Sequence, residues 1–92
     1  AAAAASADWF SVPGMGVSMV NAKGASSWPI STASFIVMYK NPADKAASNE
    51  ALKFFDWSFK NGKKMAADLD YVALPDSLTD QIRSRVWSQI QK

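Results

Sequence analysis

The chain of 92 residues contains no cysteine and no histidine. Without cysteine it cannot form a disulfide framework or a thiolate metal site. Without histidine it lacks the side chain that most often serves as a general acid or base near neutral pH. Glycine and proline number only four each, and no glycine-rich phosphate cradle is present. Residue chemistry alone therefore indicates no function, and we expect no catalytic residues, no metal ligands and no bound cofactor.

Charge and hydropathy exclude two further classes of protein. The net charge is +2, and Lys63-Lys64 is the only basic doublet, so the clustered basic face of a nucleic-acid binder is missing. The longest run of bulky apolar residues, 35–39, falls far below the roughly 18–20 residues that span a bilayer. Residues 1–5 are too short for the apolar region of a secretory signal. A hydrophobic content of 49% nevertheless predicts a folded segment, one small domain at most.

Residues 1–27 are predicted to be a helix remnant followed by a loop. The first five residues are alanine, the best helix former, but they are fewer than the roughly 12–15 residues that an isolated helix needs. We expect that the chain was cut from a longer protein. Glycine, proline and asparagine punctuate residues 10–27, which predicts a loop with one short strand around residues 17–20.

Residues 28–40 are predicted to contain a buried strand. The proline after Trp28 favours an extended backbone at that residue. Residues 35–39 read Phe-Ile-Val-Met-Tyr and have no polar face, which is typical of a strand covered on both sides. Such a strand needs partner strands and covering helices, and this chain supplies few of them.

Residues 41–92 are predicted to be helical, and the first helix has two alternative starts. Asn41-Pro42 offers an N-cap followed by proline at the first helical position, and Ser48-Asn49 is the other candidate. Asn61-Gly62 is predicted to end this helix, because both residues tolerate the left-handed conformation of a C-terminal cap.

The apolar face of this helix is dense in aromatic residues. Leu52, Phe55 and Phe59 recur at helical spacing, and Phe54 and Trp57 widen the face. Stacking on nucleobases is one interpretation of the aromatic residues at 54–59. Without interleaved arginine, packing is the favoured one.

Two shorter helices follow. The first is predicted at residues 63–69, and residues 71–74 form an extended connector. Pro75 opens the last helix, where Ser77 and Asp80 have the spacing of a capping box. Arg83 and Arg85 are expected to face water or neighbouring carboxylates. The inner stripe of the last helix is predicted to be Leu78, Ile82, Val86 and Ile90.

Three polar clusters are candidate sites, and each has a structural interpretation that we favour. Asp68 and Asp70 could form a carboxylate pair for acid–base chemistry or a hard cation, or simply end a helix and its turn. Hydroxyls at the head of the predicted strand could bind an anion in a cleft; these are Ser31, Thr32 and Ser34. The lysines near the end of the first helix oppose its dipole and are expected to be solvated; these are Lys60, Lys63 and Lys64.

The segment Gly14-Met15-Gly16 is a weak candidate for a dinucleotide-binding loop. That fingerprint requires a third glycine, a preceding strand and a following helix. None of these conditions is met in the sequence.

The order of several motifs resembles a known protein family. Ser27-Trp28-Pro29-Ile30 precedes the aromatic–aliphatic strand, and the segment 52–57, Leu-Lys-Phe-Phe-Asp-Trp, follows it. Asn61-Gly62, the segment 68–71 (Asp-Leu-Asp-Tyr) and the segment 74–77 (Leu-Pro-Asp-Ser) continue in the same order. This set is similar to the C-terminus of the periplasmic phosphate-binding protein of the bacterial ABC-type phosphate transporter. The alanine-rich start leading into Ala7-Asp8-Trp9 is similar too.

The resemblance implies a fold and a location. Family members are two-lobed α/β proteins of the type II periplasmic binding-protein fold. The chain then corresponds to an α+β segment of about three helices and one or two strands, roughly the last third of such a protein. The resemblance also implies a periplasmic location.

The resemblance implies a function as well. Family members take up inorganic phosphate between their lobes and deliver it to the transporter permease. Their phosphate contacts come from earlier segments, so no phosphate-binding residue is carried over to this chain, which we expect not to bind phosphate tightly alone. The implied partners are the missing N-terminal lobes or another copy of the chain. An interaction module that presents an aromatic surface to a protein partner is the alternative, and an enzyme has the least support.

Overall fold

Helices and irregular segments account for all of residues 1–92 in the computed structural model, which contains no β-strand. The chain divides into two units, Ala1–Phe35 and Ile36–Lys92. Most of the regular structure lies in the second unit. The helical part of the predicted α+β segment is therefore present, and its strands are not.

The first unit is organised around Trp9. Helix α1 (Ala2–Ser6) is short, and its Ala3 and Ala4 are buried. The indole Nε1–H of Trp9 donates a hydrogen bond of 2.7 Å to the carbonyl of Ala4. The ring of Trp9 meets that of Phe35 edge to face, with 6.4 Å between centroids. A buried aromatic ring with a satisfied N–H thus holds the alanine helix against the end of this unit.

The predicted loop of the first unit is confirmed, and its predicted strand is wrong. A single 3₁₀ turn, Pro13–Met15, is its only regular element after α1. Residues 17–20 form no strand, because no neighbouring segment pairs with them. One long-range backbone hydrogen bond, from the N–H of Asn21 to the carbonyl of Pro29 (2.9 Å), closes the loop.

Helix α2 (Lys45–Asn61) begins at neither of the two predicted starts. Its N-cap is Asp44, whose carboxylate accepts a hydrogen bond from the N–H of Ala47 (3.0 Å). A charged acceptor satisfies a free amide at the helix start and also interacts favourably with the helix dipole. Ser48 and Leu52, one turn apart on the same face, are its buried residues.

The predicted end of α2 at Asn61-Gly62 is confirmed, but the predicted reason for glycine is wrong. Gly62 has φ −89° and ψ −3°, which is right-handed. A Cβ built on Gly62 would lie 2.6 Å from the carbonyl oxygen of Ser58. Glycine is required here because the chain passes too close to the preceding turn for a side chain.

Helix α3 (Lys63–Asp68) follows at once and matches the predicted second helix. Residues 71–75 have no regular structure, as predicted for the connector. Helix α4 (Asp76–Gln81) then continues into a π-helical turn, Ile82–Val86, and a 3₁₀ turn, Trp87–Gln89. Of the predicted inner stripe, Leu78 and Ile90 are buried, and Ile82 and Val86 are half-buried.

The predicted capping box of α4 is wrong. The N-cap is Pro75, and no side chain caps the helix start. Asp80 turns instead to Arg83, whose Nη1 lies 2.8 Å from the Asp80 carboxylate. Because the helix begins at Asp76, Ser77 lies inside it and is not at the N-cap position that a capping box requires.

The buried strand predicted within residues 28–40 is also wrong for this structure. Residues 31–39 have no regular structure, and Val37 and Tyr39 are 94% and 83% exposed. A strand buried on both faces requires hydrogen-bonded neighbours and covering helices. No segment of this chain provides them, so its apolar side chains remain in solvent.

Large apolar side chains are exposed elsewhere too. On α2, Phe54 is 61% exposed and Trp57 is 48% exposed, so neither ring is buried in the core, although Phe54 meets Phe55 edge to face with 5.6 Å between centroids. Phe55 and Phe59 are half-buried, as a packing face requires. None of the helices has the length and hydropathy needed to cross a membrane.

Candidate functional site

The three lysines near the junction of α2 and α3 are each paired with a carboxylate. The ammonium of Lys60 lies 2.7 Å from Asp56, and that of Lys64 lies 2.7 Å from Asp68. Lys63 donates to the carboxylate of Asp76. The charge of each ammonium is thus already balanced by a neighbouring carboxylate. The lysine cluster is therefore a set of ion pairs and not an open anion site.

The carboxylates of Asp68 and Asp70 do not form a site. Asp68 ends α3 and pairs with Lys64. Asp70 adopts a left-handed backbone (φ 63°) and donates its N–H to the carbonyl of Ala67. Asp68 thus ends a helix and Asp70 lies in the turn that follows, as the structural interpretation predicts, but neither carboxylate accepts a hydrogen bond within the turn. No group of three or more acidic residues converges on a common point in the structure.

The hydroxyl and glycine candidates do not converge either. The hydroxyl of Ser31 donates to the carbonyl of Trp28 (3.0 Å), and Thr32 and Ser34 are exposed. Gly14 and Met15 lie in the 3₁₀ turn with φ values of 70° and 59°. Neither segment presents a row of amide donors at a helix start, which is what a phosphate cradle requires.

The most connected polar group in the chain joins α2 to the last helical segment. Asp56 accepts from the Nε of Arg83 at 2.6 Å, across 27 positions of sequence, while Lys60 contacts its other oxygen. Asp80 completes the group through Arg83. About a quarter of the Arg83 side chain is exposed. We call Asp56, Lys60, Asp80 and Arg83 the Asp56–Arg83 cluster.

Two aromatic rings cover this cluster. Phe59 and Trp87 are stacked in parallel, with 5.5 Å between centroids and 6° between planes. The guanidinium of Arg83 lies 5.7 Å from the centre of the Phe59 ring, within the range of a cation–π contact. Arginine here serves as a planar bridge between a carboxylate and an aromatic face. The arrangement connects α2 to the last helical segment.

The pKa values of two paired carboxylates, Asp56 and Asp76, are lowered by their cationic partners. Hydrogen bonds from Lys60 and then Arg83 hold the pKa of Asp56 below its ordinary value of 3.8. The hydrogen bond from Lys63 likewise lowers the pKa of Asp76. Both groups favour the charged form, whereas a catalytic acid needs a raised pKa. These carboxylates stabilise the fold.

Acid is therefore expected to destabilise the second unit. The lowered pKa values mean that the unfolded chain binds more protons than the folded chain, so the contribution is present above about pH 4 and is lost as pH falls through the folded-state pKa. Asp56→Asn should flatten this acid dependence, because residue 56 then no longer titrates. Urea unfolding followed by tryptophan fluorescence from pH 7 to pH 2.5 measures it.

Asp56→Glu is the matched control, since it retains a carboxylate within reach of the same cations. It should keep an acid-dependent loss of stability. Identical pH profiles for the Asn and Glu variants would show that the pairing of Asp56 does not set the acid dependence.

The expectation that Arg83 meets a neighbouring carboxylate is confirmed by Asp80, but the contact of Arg83 with Asp56 was not predicted. The local halves of the cluster have recognisable spacings, Asp56 with Lys60 at i,i+4 and Asp80 with Arg83 at i,i+3. The contact between Asp56 and Arg83 has no sequence signal, because it depends on how two separate helical segments meet.

Three relatives found by comparison with known proteins carry the same name. "Phosphate-binding protein PstS" of Pasteurella multocida is 41% identical over 90 residues, which cover 98% of this chain and 26% of that protein. The protein of the same name from Xylella fastidiosa is 44% identical over 84 residues (91% and 23%), and that from Haemophilus influenzae is 38% identical over 91 residues (99% and 27%). The chain spans about a quarter of the length of these relatives. No protein-family model matches the chain. No solved structure matches it.

Proposed function

Since this chain is related to the C-terminal segment of the phosphate-binding protein PstS, we propose that it is part of a protein that captures inorganic phosphate for an ABC-type transporter. The observation that carries the proposal is the match itself, which extends over 98% of the chain at 41% identity. The proposed location is the periplasm. The proposed partners are phosphate and the transporter permease.

The chain's own contribution is proposed to be structural. A desolvated phosphate needs many converging donors, typically amides at helix starts and bidentate arginine. In this chain the lysines near α3 are paired with carboxylates, and Arg83 is engaged by Asp56 and Asp80. The chain is therefore proposed to bind no phosphate tightly by itself. It is also proposed not to be an enzyme.

The two-lobed α/β fold remains a proposal for the assembled protein. Residues 32–39 are rich in β-branched and aromatic residues, and Val37 is 94% exposed. Such a composition favours a strand wherever neighbouring strands exist. We propose that the remaining three quarters of the relatives' length supply those neighbours. Nothing in the comparisons supports the alternative of an independent interaction module.

Complementation tests this proposal. The chain is mixed with the Pasteurella multocida relative from which the matching segment has been deleted, and phosphate is titrated in by isothermal calorimetry. We expect no saturable heat from either piece alone and saturable phosphate binding from the pair. Co-elution on size exclusion shows whether the two pieces have associated.

Two results would overturn the proposal. Tight, saturable phosphate binding by this chain alone would show that it carries a site of its own. An associated pair that binds no phosphate would show that the chain does not complete a phosphate-binding protein.

A further inference from the structure

Residues 32–39 have a backbone without hydrogen-bond partners. No backbone hydrogen bond joins any of these eight residues to another part of the chain, whereas Lys40, directly after them, accepts one from Gln91. Ile36, Val37 and Tyr39 are 60%, 94% and 83% exposed. Main-chain donors and acceptors therefore lie next to exposed apolar side chains. This combination is what an unprotected strand edge presents.

The composition of residues 32–39 is also typical of an unprotected strand edge. The segment reads Thr-Ala-Ser-Phe-Ile-Val-Met-Tyr, with no charge, no proline and no glycine. Segments of six or seven residues with high β-propensity and low charge pair readily with identical segments. Natural proteins protect exposed edges with lysine, proline or bulges, and none of these occurs within residues 32–39.

We propose that, in the chain on its own, residues 32–39 bind the same segment of a second copy as antiparallel β-strands. A second copy fits because an identical segment offers the same donors, the same acceptors and the same alternating apolar faces. Charge selects the orientation. Parallel in-register pairing would place Lys40 beside Lys40, and like charges opposite each other are unfavourable. Antiparallel pairing sets the two lysines at opposite ends.

Pairing of this kind does not stop at two copies. A two-stranded sheet has marginal stability in water, and three or more strands are needed. Each added strand leaves a new free edge, so the association continues into β-rich oligomers. The helices of the second unit take no part in this pairing.

Charge substitution at Val37 tests the proposal. The full 92-residue chain is incubated at about 100 μM, a concentration at which unpaired strand edges associate, and followed by light scattering and thioflavin T fluorescence. We expect oligomers with a cross-β signal from the unmodified chain. Val37→Lys should slow their formation by about tenfold or more, because it places a charge in the middle of an uncharged apolar edge, which is how natural proteins prevent such pairing. Val72→Lys, at an exposed valine in the same unit, should change the rate by less than about twofold.

Hydrogen exchange locates the contact. Amides of residues 32–39 should become protected in the oligomers, and those of α2 should exchange as in the monomer. Three outcomes would overturn the proposal: a chain that stays monomeric at this concentration, equal slowing by Val37→Lys and Val72→Lys, or protection centred on the exposed rings of Phe54 and Trp57 instead.

Discussion

Replacing Trp9 with alanine is expected to abolish the structure of the Ala1–Phe35 unit. Trp9 is 5% exposed, and its indole N–H bonds the carbonyl of Ala4. Truncating a buried tryptophan costs about 3–5 kcal/mol. At the usual stability per residue, a unit of 35 residues has only about 2–5 kcal/mol in total. The expected loss is therefore comparable to the whole stability of this unit.

Proton–nitrogen correlation spectra of the two chains measure this effect. In Trp9→Ala the peaks of residues 1–35 should collapse to positions typical of unfolded chains. Trp28→Ala is the matched control, the same substitution in the same unit at a side chain that is 72% exposed. It should cost no more than about 0.5 kcal/mol. Equal effects of the two substitutions would mean that Trp9 does not organise this unit.

The helices could be predicted from the sequence because their signals are local. Asn61-Gly62 predicted the end of α2, and Pro75 predicted the start of α4 to within a residue. The start of α2 was missed because several capping residues lie close together, and the competition among them is decided by geometry. Asp44 reaches the N–H of Ala47, so it became the N-cap.

The strand could not be predicted correctly for this chain, because a strand is not a local structure. The run at residues 35–39 has the composition of a buried strand, yet its hydrogen bonds must come from other segments. The helical residues satisfy their backbone groups within α2, α3 and α4 and so form without help. This difference explains why the same sequence signals succeeded for the helices and failed for residues 32–39.

For the candidate sites too, features set by neighbouring residues could be predicted and contacts between distant segments could not. The positions of Asp68 and Asp70, at a helix end and in the following turn, depend only on neighbouring residues and were predicted correctly. The Asp56–Arg83 contact, which joins α2 to the last helical segment, required knowledge of how distant segments pack. The expectation that the chain carries no phosphate-binding residue remains a prediction, and complementation tests it.

The second large effect is expected at Leu52. This side chain is 7% exposed and is one of the few buried apolar groups of the second unit. Leu52→Ala should cost about 2–4 kcal/mol, the transfer energy of the lost methyl groups plus the cavity that they leave. Trp57, on the same helix, is far larger but 48% exposed. Trp57→Ala should cost less than Leu52→Ala, since about half of the Trp57 surface is already hydrated and its truncation leaves no closed cavity.

Urea unfolding monitored by far-ultraviolet circular dichroism compares the two variants without relying on tryptophan fluorescence. Both substitutions introduce alanine into α2, and the gain in helix propensity is larger for Trp57→Ala than for Leu52→Ala, which adds to the expected difference between them. A larger loss for Trp57→Ala than for Leu52→Ala would contradict the packing of α2. In the complementation mixture, Trp57→Ala should weaken association more than Leu52→Ala does if Trp57 contacts the remaining part of the protein. Its exposed ring then becomes buried on association. Stability of the chain alone and association with that part thus report on the two faces of α2 separately.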